Sequence, residues 1–183
     1  MNSSSYSSSD FGESWRCSSP TARRCSLSTA NIWSMAYKTI DGITSSIIPF
    51  YRESGVIFVL LGQRSQTSKA FANVWALVGG FLNAGGESLE QCAARELREE
   101  TGLDVSAATM KLVTVQSDPR RDPRGQIVDT VWSTDLKSKL FAAAADDLQA
   151  VAWYPLRQAL VMDLAFDHNE SLRRFALDEG FIA

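Results

Sequence analysis

The sequence predicts a mixed α/β domain, because runs typical of strands stand beside a run typical of a helix. Residues 43–51 and 56–62 are rich in β-branched and aromatic side chains, and Arg52-Glu53-Ser54-Gly55 between them favours a hairpin or adjacent strands. Residues 88–100 have helical periodicity and stop before Gly102, a residue that commonly ends a helix. The chain therefore passes from paired strands into a helix.

Further strands and helices are predicted up to the end of the chain. Residues 136–145 are Ala-rich and are predicted to be helical or loop-like. The other predicted elements are a short strand at 74–78, strands at 110–116, 126–134 and 151–154, and a closing helix through Leu177.

The chain of 183 residues divides into a tail and one domain. Residues 1–35 are Ser-rich with few large apolar side chains, so we expect this tail to be disordered. Residues 36–183 are predicted to form a single domain. Met35 leads directly into the first strand, and we hold the hypothesis that it is the true start.

Composition excludes several classes of partner. The net charge of −3 disfavours a general nucleic-acid or anionic-membrane binder. No run approaches the roughly 18 apolar residues that a membrane-spanning helix needs. The three cysteines, Cys17, Cys25 and Cys92, have no metal-ligand spacing, and a reduced cytoplasmic compartment fits them best.

The predicted helix carries an unusual acidic edge. Glu96, Glu99 and Glu100 extend a face that begins with Leu89 and Cys92. Buried carboxylates need a compensating cation, and a hard divalent ion prefers oxygen ligands. This pattern favours a metal site, although a solvated helix with local Glu–Arg pairs has the same composition.

The segment Arg95-Glu96-Leu97-Arg98-Glu99-Glu100-Thr101-Gly102-Leu103, with Glu87 eight positions before Arg95, resembles the Nudix box. The family pattern is G-x5-E-x7-R-E-U-x-E-E-x-G-U, where U is a bulky aliphatic residue. Everything from Glu87 onward matches. Counted from Gly80, the loop has one extra residue, and Val78 stands where many members have proline.

The resemblance implies a Nudix fold, in which a mixed β-sheet and a smaller antiparallel sheet lie between helices. It also implies Mg²⁺, or Mn²⁺, held by Glu96, Glu99 and Glu100 with a contact from the Gly80 carbonyl. Glu99 and Glu100 would thereby be catalytic. Glu87 and Arg95 would brace the loop against the helix, and Leu97 and Leu103 would be core.

Outside the box, the turn 117–125 carries Arg120, Arg121 and Arg124 in an acidic chain. These arginines are candidates for holding phosphate or a terminal sugar. The part 121–125 resembles a loop of the ADP-ribose pyrophosphatase branch of the family. The alternative is that Asp122 and Arg124 only pair across the turn, and the two interpretations are compatible.

Two further segments contain candidate site residues. Asp146 and Asp147 precede a Trp-containing strand, where Nudix enzymes frequently supply a carboxylate or a base. We expect at most one of them in the site and prefer Asp147, the alternative being a capping or solvated pair. Asp167 is predicted to cap the last helix with Glu170 as its capping-box partner. We interpret the neighbouring His168 as structural.

Three other side chains are assigned ordinary roles. Arg64 follows the second strand, where family members often carry a basic residue, and we favour simple solvation. Phe81 and Trp75 are candidates to line a pocket, but we favour core positions for both.

The function implied is Mg²⁺-dependent hydrolysis of a nucleoside diphosphate derivative, with ADP-ribose cleaved to AMP and ribose 5-phosphate as the preferred reaction. The alternatives are another nucleotide, such as NADH, a dinucleotide polyphosphate or an oxidised nucleoside triphosphate, and a non-catalytic ADP-ribose-binding protein. We expect no nucleic-acid or membrane partner. A homodimer is compatible with the resemblance.

Overall fold

The computed structural model describes residues 39–182. The predictions for the Ser-rich tail and for Met35 lie outside these residues.

Two long strands form the predicted hairpin. Strand β1 (Gly42–Glu53) pairs antiparallel with β2 (Val56–Arg64). Ser54 and Gly55 join them, both with positive φ angles of 50° and 79°. Residues 44–51 of β1 are all buried, as expected for a strand that is covered on both faces.

The hairpin organises a sheet of seven strands within the described residues. The other five strands are β3 (Trp75–Ala76), β4 (Val78–Phe81), β5 (Lys111–Gln116), β6 (Ile127–Asp135) and β7 (Leu148–Pro155). β1 pairs in parallel with β6 and antiparallel with β4, while β5 pairs antiparallel with the outer side of β6. β2 pairs antiparallel with β3 and β7, which gives an antiparallel part continuous with the mixed part.

Three α-helices complete the described part: α1 (Leu89–Thr101), α2 (Leu156–Ala159) and α3 (His168–Asp178). Ser88 caps α1, because its hydroxyl accepts the Gln91 amide N–H while the Gln91 side chain accepts the Ser88 N–H, a reciprocal capping box. Gly102 ends α1 in the left-handed conformation, with φ 73° and its N–H donating to the Arg98 carbonyl.

The sheet lies between α1 and α3. Ile47 of β1 packs in a buried cluster with Ala93 and Leu97 of α1, whereas Ile48, the next residue, packs in a second cluster with Phe175 of α3. Successive strand residues point to opposite faces, so the alternation of β1 builds both halves of the core. The mixed α/β class is confirmed.

Most predicted elements are present with small differences. The strand predicted at 74–78 is two short strands, and β7 begins at Leu148, three residues before the prediction. Residues 136–147 form a loop, which is one of the two forms predicted for 136–145. Leu97 and Leu103 are core, as predicted, and Trp75 packs against the α3-side cluster. None of the helices in residues 39–182 is long and apolar enough to cross a membrane.

Candidate active site

A cavity of about 350 Å³ opens between the Gly-rich loop, the α1 face and the turn 117–125. Its lining contains all three glutamates of the acidic edge together with four arginines: Arg95 of α1 and, from outside the helix, Arg64, Arg121 and Arg124. The sequence-predicted acids and two of the three predicted arginines therefore meet in one place.

The three glutamates of the acidic edge, Glu96, Glu99 and Glu100, are buried to different extents. Glu100 is 5% exposed and accepts the Gly79 N–H at 3.1 Å, and burial raises its pKa to about 8. Burial also raises the pKa of Glu96, although Arg95 opposes the shift. Glu99 remains 43% exposed. Two of the three carboxylates thus carry a desolvation penalty that a cation would relieve.

Gly80 allows the acidic edge to approach the loop. A Cβ at this position would meet the Glu96 carboxylate, which would have to move away from the loop. The Gly80 carbonyl faces α1, where the Cys92 thiol donates to it at 3.8 Å. A carbonyl has a second lone pair, and the predicted metal contact from Gly80 stays a prediction.

Arg95 joins the loop to the helix. Its Nε and Nη2 donate to the two Glu87 oxygens at 2.9 and 2.8 Å, and these bonds lower the pKa of Glu87 to about 2. Its Nη1 donates to Glu96 at 2.7 Å and to Glu99 at 3.0 Å. The Glu87–Arg95 contact implied by the resemblance is present, and the same guanidinium also orients two members of the acidic edge.

Asp146 and Asp147 both line the cavity. The expectation that at most one of these adjacent acids reaches it is wrong. The loop before them is held by the end of α1, where the Ala143 and Ala145 N–H groups donate to the carbonyls of Thr101 and Glu100 at 3.1 and 3.0 Å. Asp146 then takes a left-handed conformation with φ 51°, which turns the chain between two consecutive cavity residues.

The acid-rich side fits a divalent cation by its donor chemistry. Carboxylate oxygens are the ligands that Mg²⁺ prefers, and Glu96 and Glu100 are desolvated as an ion site requires. In residues 39–182, no three Asp, Glu, His or Cys side chains converge tightly enough to enclose an ion, and Arg95 donates to both Glu96 and Glu99. A cation would compete with this guanidinium for the same oxygens.

The three arginines of the turn have three different positions. Arg120 is 87% exposed and pairs with Asp118 of its own turn, so its predicted place in the site is wrong. It lies outside because the Asp118 carboxylate accepts both its backbone N–H and its side chain.

Arg121 is buried and already bound. Its Nε and Nη2 donate to Asp167 at 2.8 and 2.6 Å, and Nη2 also approaches Asp129 at 3.5 Å. The Asp167 carboxylate therefore does not cap α3, and the predicted capping box with Glu170 is wrong, although Asp167 does stand at the N-cap position. Arg121 ties the turn to the start of α3.

Arg124 and Arg64 meet over Phe166. Their guanidinium carbons lie 5.3 and 5.4 Å from the centre of the Phe166 ring, within cation–π distance. Arg124 also lies 4.9 Å from the Phe81 ring and pairs with Asp122 at 2.7 Å. Arg124 therefore pairs with Asp122 across the turn and also lines the cavity, so the two compatible interpretations of this residue both hold. We call Arg64, Arg121, Arg124 and Phe166 the arginine cluster.

Sequence reasoning missed three of these contributions. Arg64 is half-buried and its Nε donates to the Ala70 carbonyl at 3.0 Å, so the prediction of simple solvation is wrong. Phe81 is 44% exposed and lines the cavity, so its core assignment is also wrong. Phe166 lines the cavity, which was not predicted, although its Phe-Asp-His segment resembles the ADP-ribose pyrophosphatase branch and that resemblance was the available signal.

Several buried polar side chains line another part of the cavity. Thr44 and Ser46 donate to the Asp129 carboxylate at 2.9 Å each, and burial raises the pKa of Asp129 to about 6. His168 lies with Nε2 4.0 Å from Asp129, and its Nδ1 accepts the Leu77 N–H at 2.9 Å. Burial lowers the pKa of His168 to about 3, so the ring is neutral at neutral pH, in keeping with a structural role.

Carboxylates and guanidinium groups thus line one cavity between the sheet and α1. Residues 42–175 match the NUDIX domain, and the chain belongs to the Nudix family.

The chain is also similar to individual proteins. The chain is 32% identical over 133 residues to the ADPR responsive transcriptional repressor NtrR of Acinetobacter baylyi, covering 72% of this chain and 52% of that protein. It is 34% identical over 105 residues to the ADP-ribose pyrophosphatase of Methanocaldococcus jannaschii, covering 57% of this chain and 59% of the other. The chain thus spans little more than half the length of these relatives.

A solved structure is similar as well. The NUDIX domain of Shewanella oneidensis NrtR, determined in complex with ADP ribose, is 28% identical with a TM-score of 0.68. The similarity covers 84% of this chain and 96% of that domain.

Proposed function

We propose that the protein is a Mg²⁺-dependent hydrolase that cleaves the diphosphate of ADP-ribose to AMP and ribose 5-phosphate. The observation that carries this proposal is the joint lining of one cavity by the acidic edge and the arginine cluster. Such a cavity offers carboxylates for a cation and guanidinium groups for phosphoryl oxygens. Its volume lies at the lower end of the range of about 300–1,000 Å³ found for small-ligand sites.

The reaction adds one water to one phosphorus and breaks the bridging P–O bond, leaving two phosphate monoesters. Mg²⁺ held by Glu96, Glu99 and Glu100 would supply charge neutralisation on the diphosphate and a more acidic water. Asp147 lines the same cavity and is our candidate to accept the proton from that water.

The arginine cluster supplies binding. Arg124 combines a half-exposed guanidinium with two neighbouring phenyl rings, so it can hold phosphoryl oxygens while Phe81 and Phe166 offer apolar faces to a base or sugar. Arg121, which is occupied by Asp167 and Asp129, positions the turn and is not proposed to bind substrate directly.

A second candidate is binding of ADP-ribose without turnover. It is favoured by the similarity to a repressor and to the ADP ribose-bound NUDIX domain of a regulator. Arg95 also supports it, because this side chain occupies oxygens of Glu96 and Glu99 that a cation would need. The absence of a nucleic-acid partner stays a prediction.

A hydrolysis screen of the full chain separates these candidates. The panel holds ADP-ribose, NADH, a diadenosine polyphosphate and nucleoside triphosphates with Mg²⁺, each with an EDTA control. AMP and ribose 5-phosphate released from ADP-ribose, and abolished by EDTA, would support the proposal. Turnover of another nucleotide would overturn the substrate assignment. No cleavage, with a melting temperature raised by ADP-ribose, would establish the binding protein.

A further inference from the structure

A second cavity of about 240 Å³ adjoins the first one. The two share Arg64, Arg124 and Asp147 in their linings, while the rest of the second cavity is formed by the turn that follows β2, including Ser68 and Lys69. None of the three glutamates of the acidic edge lines the second cavity. A group held here would therefore sit away from the carboxylates proposed to hold the cation.

The second cavity is rich in positive charge. Arg64, Lys69 and Arg124 face a single carboxylate, Asp147. Arg124 is already paired with Asp122 at 2.7 Å, whereas Arg64 and Lys69 form no ion pair with any residue of 39–182. Burial and the nearby Arg124 charge lower the pKa of Arg64, and the carboxylates of Glu100, Asp147 and Asp122 offset this shift only in part. An anion placed between Arg64 and Lys69 would add to that offset.

The turn also presents hydroxyl donors. Ser65 Oγ lies 3.0 Å from Thr67 Oγ1 and 3.3 Å from Ser68 Oγ, so three hydroxyls cluster on the cavity lining. The Ser65 N–H donates to the Asp147 carbonyl at 3.0 Å, and Arg64 Nε to the Ala70 carbonyl at 3.0 Å. These bonds fix both ends of the turn against the main cavity.

We propose that this second cavity binds a phosphate monoester carried by the nucleotide substrate at a position outside the cleaved diphosphate. A phosphate monoester carries about −1.5 to −2 charges at neutral pH, which suits a lining with several hydroxyls and two cations that form no ion pair within residues 39–182. The inference rests on the proposed function, since it extends the substrate class from ADP-ribose to a derivative phosphorylated on a ribose hydroxyl.

The test compares ADP-ribose with ADP-ribose 2′-phosphate as substrates of the full chain. We expect the phosphorylated nucleotide to have a kcat/KM roughly tenfold higher, through a lower KM, because it gains charge-assisted hydrogen bonds. Lys69→Ala removes a cation that lines only the second cavity. It should abolish the advantage of the phosphorylated nucleotide and leave ADP-ribose hydrolysis unchanged, and Lys69→Arg should restore the advantage.

Lys111→Ala is the matched control, because it removes an exposed lysine on β5 that lines neither cavity. Equal kcat/KM values for the two nucleotides in the unaltered protein would overturn the inference, as would an advantage that survives Lys69→Ala. If neither nucleotide is hydrolysed, the proposed hydrolase function is wrong, but the proposal for the second cavity is still open to test. The ratio of the two dissociation constants, measured by calorimetry in EDTA, then decides the inference: a ratio near one overturns it.

Discussion

The acidic edge and the arginine cluster line the same cavity, but they are assembled in different ways. Glu96, Glu99 and Glu100 all belong to one helix, so local sequence fixes their spacing and orientation. Arg64, Arg124 and Phe166 come from the end of β2, a turn and the segment before α3. The first region depends on helix formation alone, and the second depends on the packing of three distant segments. The two should therefore respond differently to mutation.

The largest expected effect is on the stability of the arginine cluster. Arg121→Ala leaves Asp129 and Asp167 without their shared guanidinium, and Asp129 is 1% exposed. Breaking a buried pair from one side costs about 3–5 kcal/mol, so the free energy of unfolding in urea should fall by that order. Asp118→Ala, which breaks only the exposed pair with Arg120, is the control and should change it by less than about 0.5 kcal/mol. Similar values for the two variants would show that Arg121 does not hold the turn.

The next effect should fall on the acidic edge and leave stability nearly unchanged. Glu99→Gln and Glu100→Gln should each lower kcat by about 10²-fold or more, because the electrostatic stabilisation of a developing charge is weakened. Glu90→Gln is the control on the same helix, since Glu90 lies in the first turn and does not line the cavity. Steady-state kinetics with Mg²⁺ and circular dichroism of each variant measure the two properties. An unchanged kcat with both glutamines would refute the metal assignment.

The smallest expected effect is on substrate binding, and it should distinguish Arg124 from Arg120 of the same turn. Arg124→Ala should raise KM roughly tenfold and lower kcat much less, since it removes a binding group worth one charge-assisted hydrogen bond. The double variant with Asp122→Asn avoids leaving that buried carboxylate unpaired. Arg120→Ala, four residues away in the chain and exposed, should leave both constants unchanged. A fall in kcat with constant KM for Arg124→Ala would instead place this side chain in the chemistry.

The comparison also explains what could be predicted from the sequence. The helix α1, its end at Gly102 and the positions of the three glutamates follow from periodicity and capping, which are local properties. The β1–β2 hairpin was predicted for the same reason, because its two runs are adjacent in the chain. The Nudix resemblance extended this local information to the family and its fold.

The arginine cluster could only be predicted in part. A turn rich in arginine suggests an anion site, but the sequence does not show which guanidinium groups are already paired. Arg120 and Arg121 are bound by Asp118 and Asp167, and the second of these lies 46 residues away. Arg64 appeared to be an ordinary surface residue because the ring and cation that surround it come from distant segments. Side-chain pairing across a fold is a tertiary property, which no local pattern determines.

The parallel pairing of β1 with β6 has a consequence for how the protein folds. Thr44 and Ser46 on β1 reach Asp129 on β6 across 85 and 83 residues of chain, so this part of the cavity forms only after a long loop has closed. Contacts of such separation are slow to form, whereas a hairpin and a helix form early. We expect a refolding chain to acquire α1 and its three glutamates well before it can bind a nucleotide. The capacity to bind ligand should then return last, and would report completion of the fold more strictly than recovery of helix content.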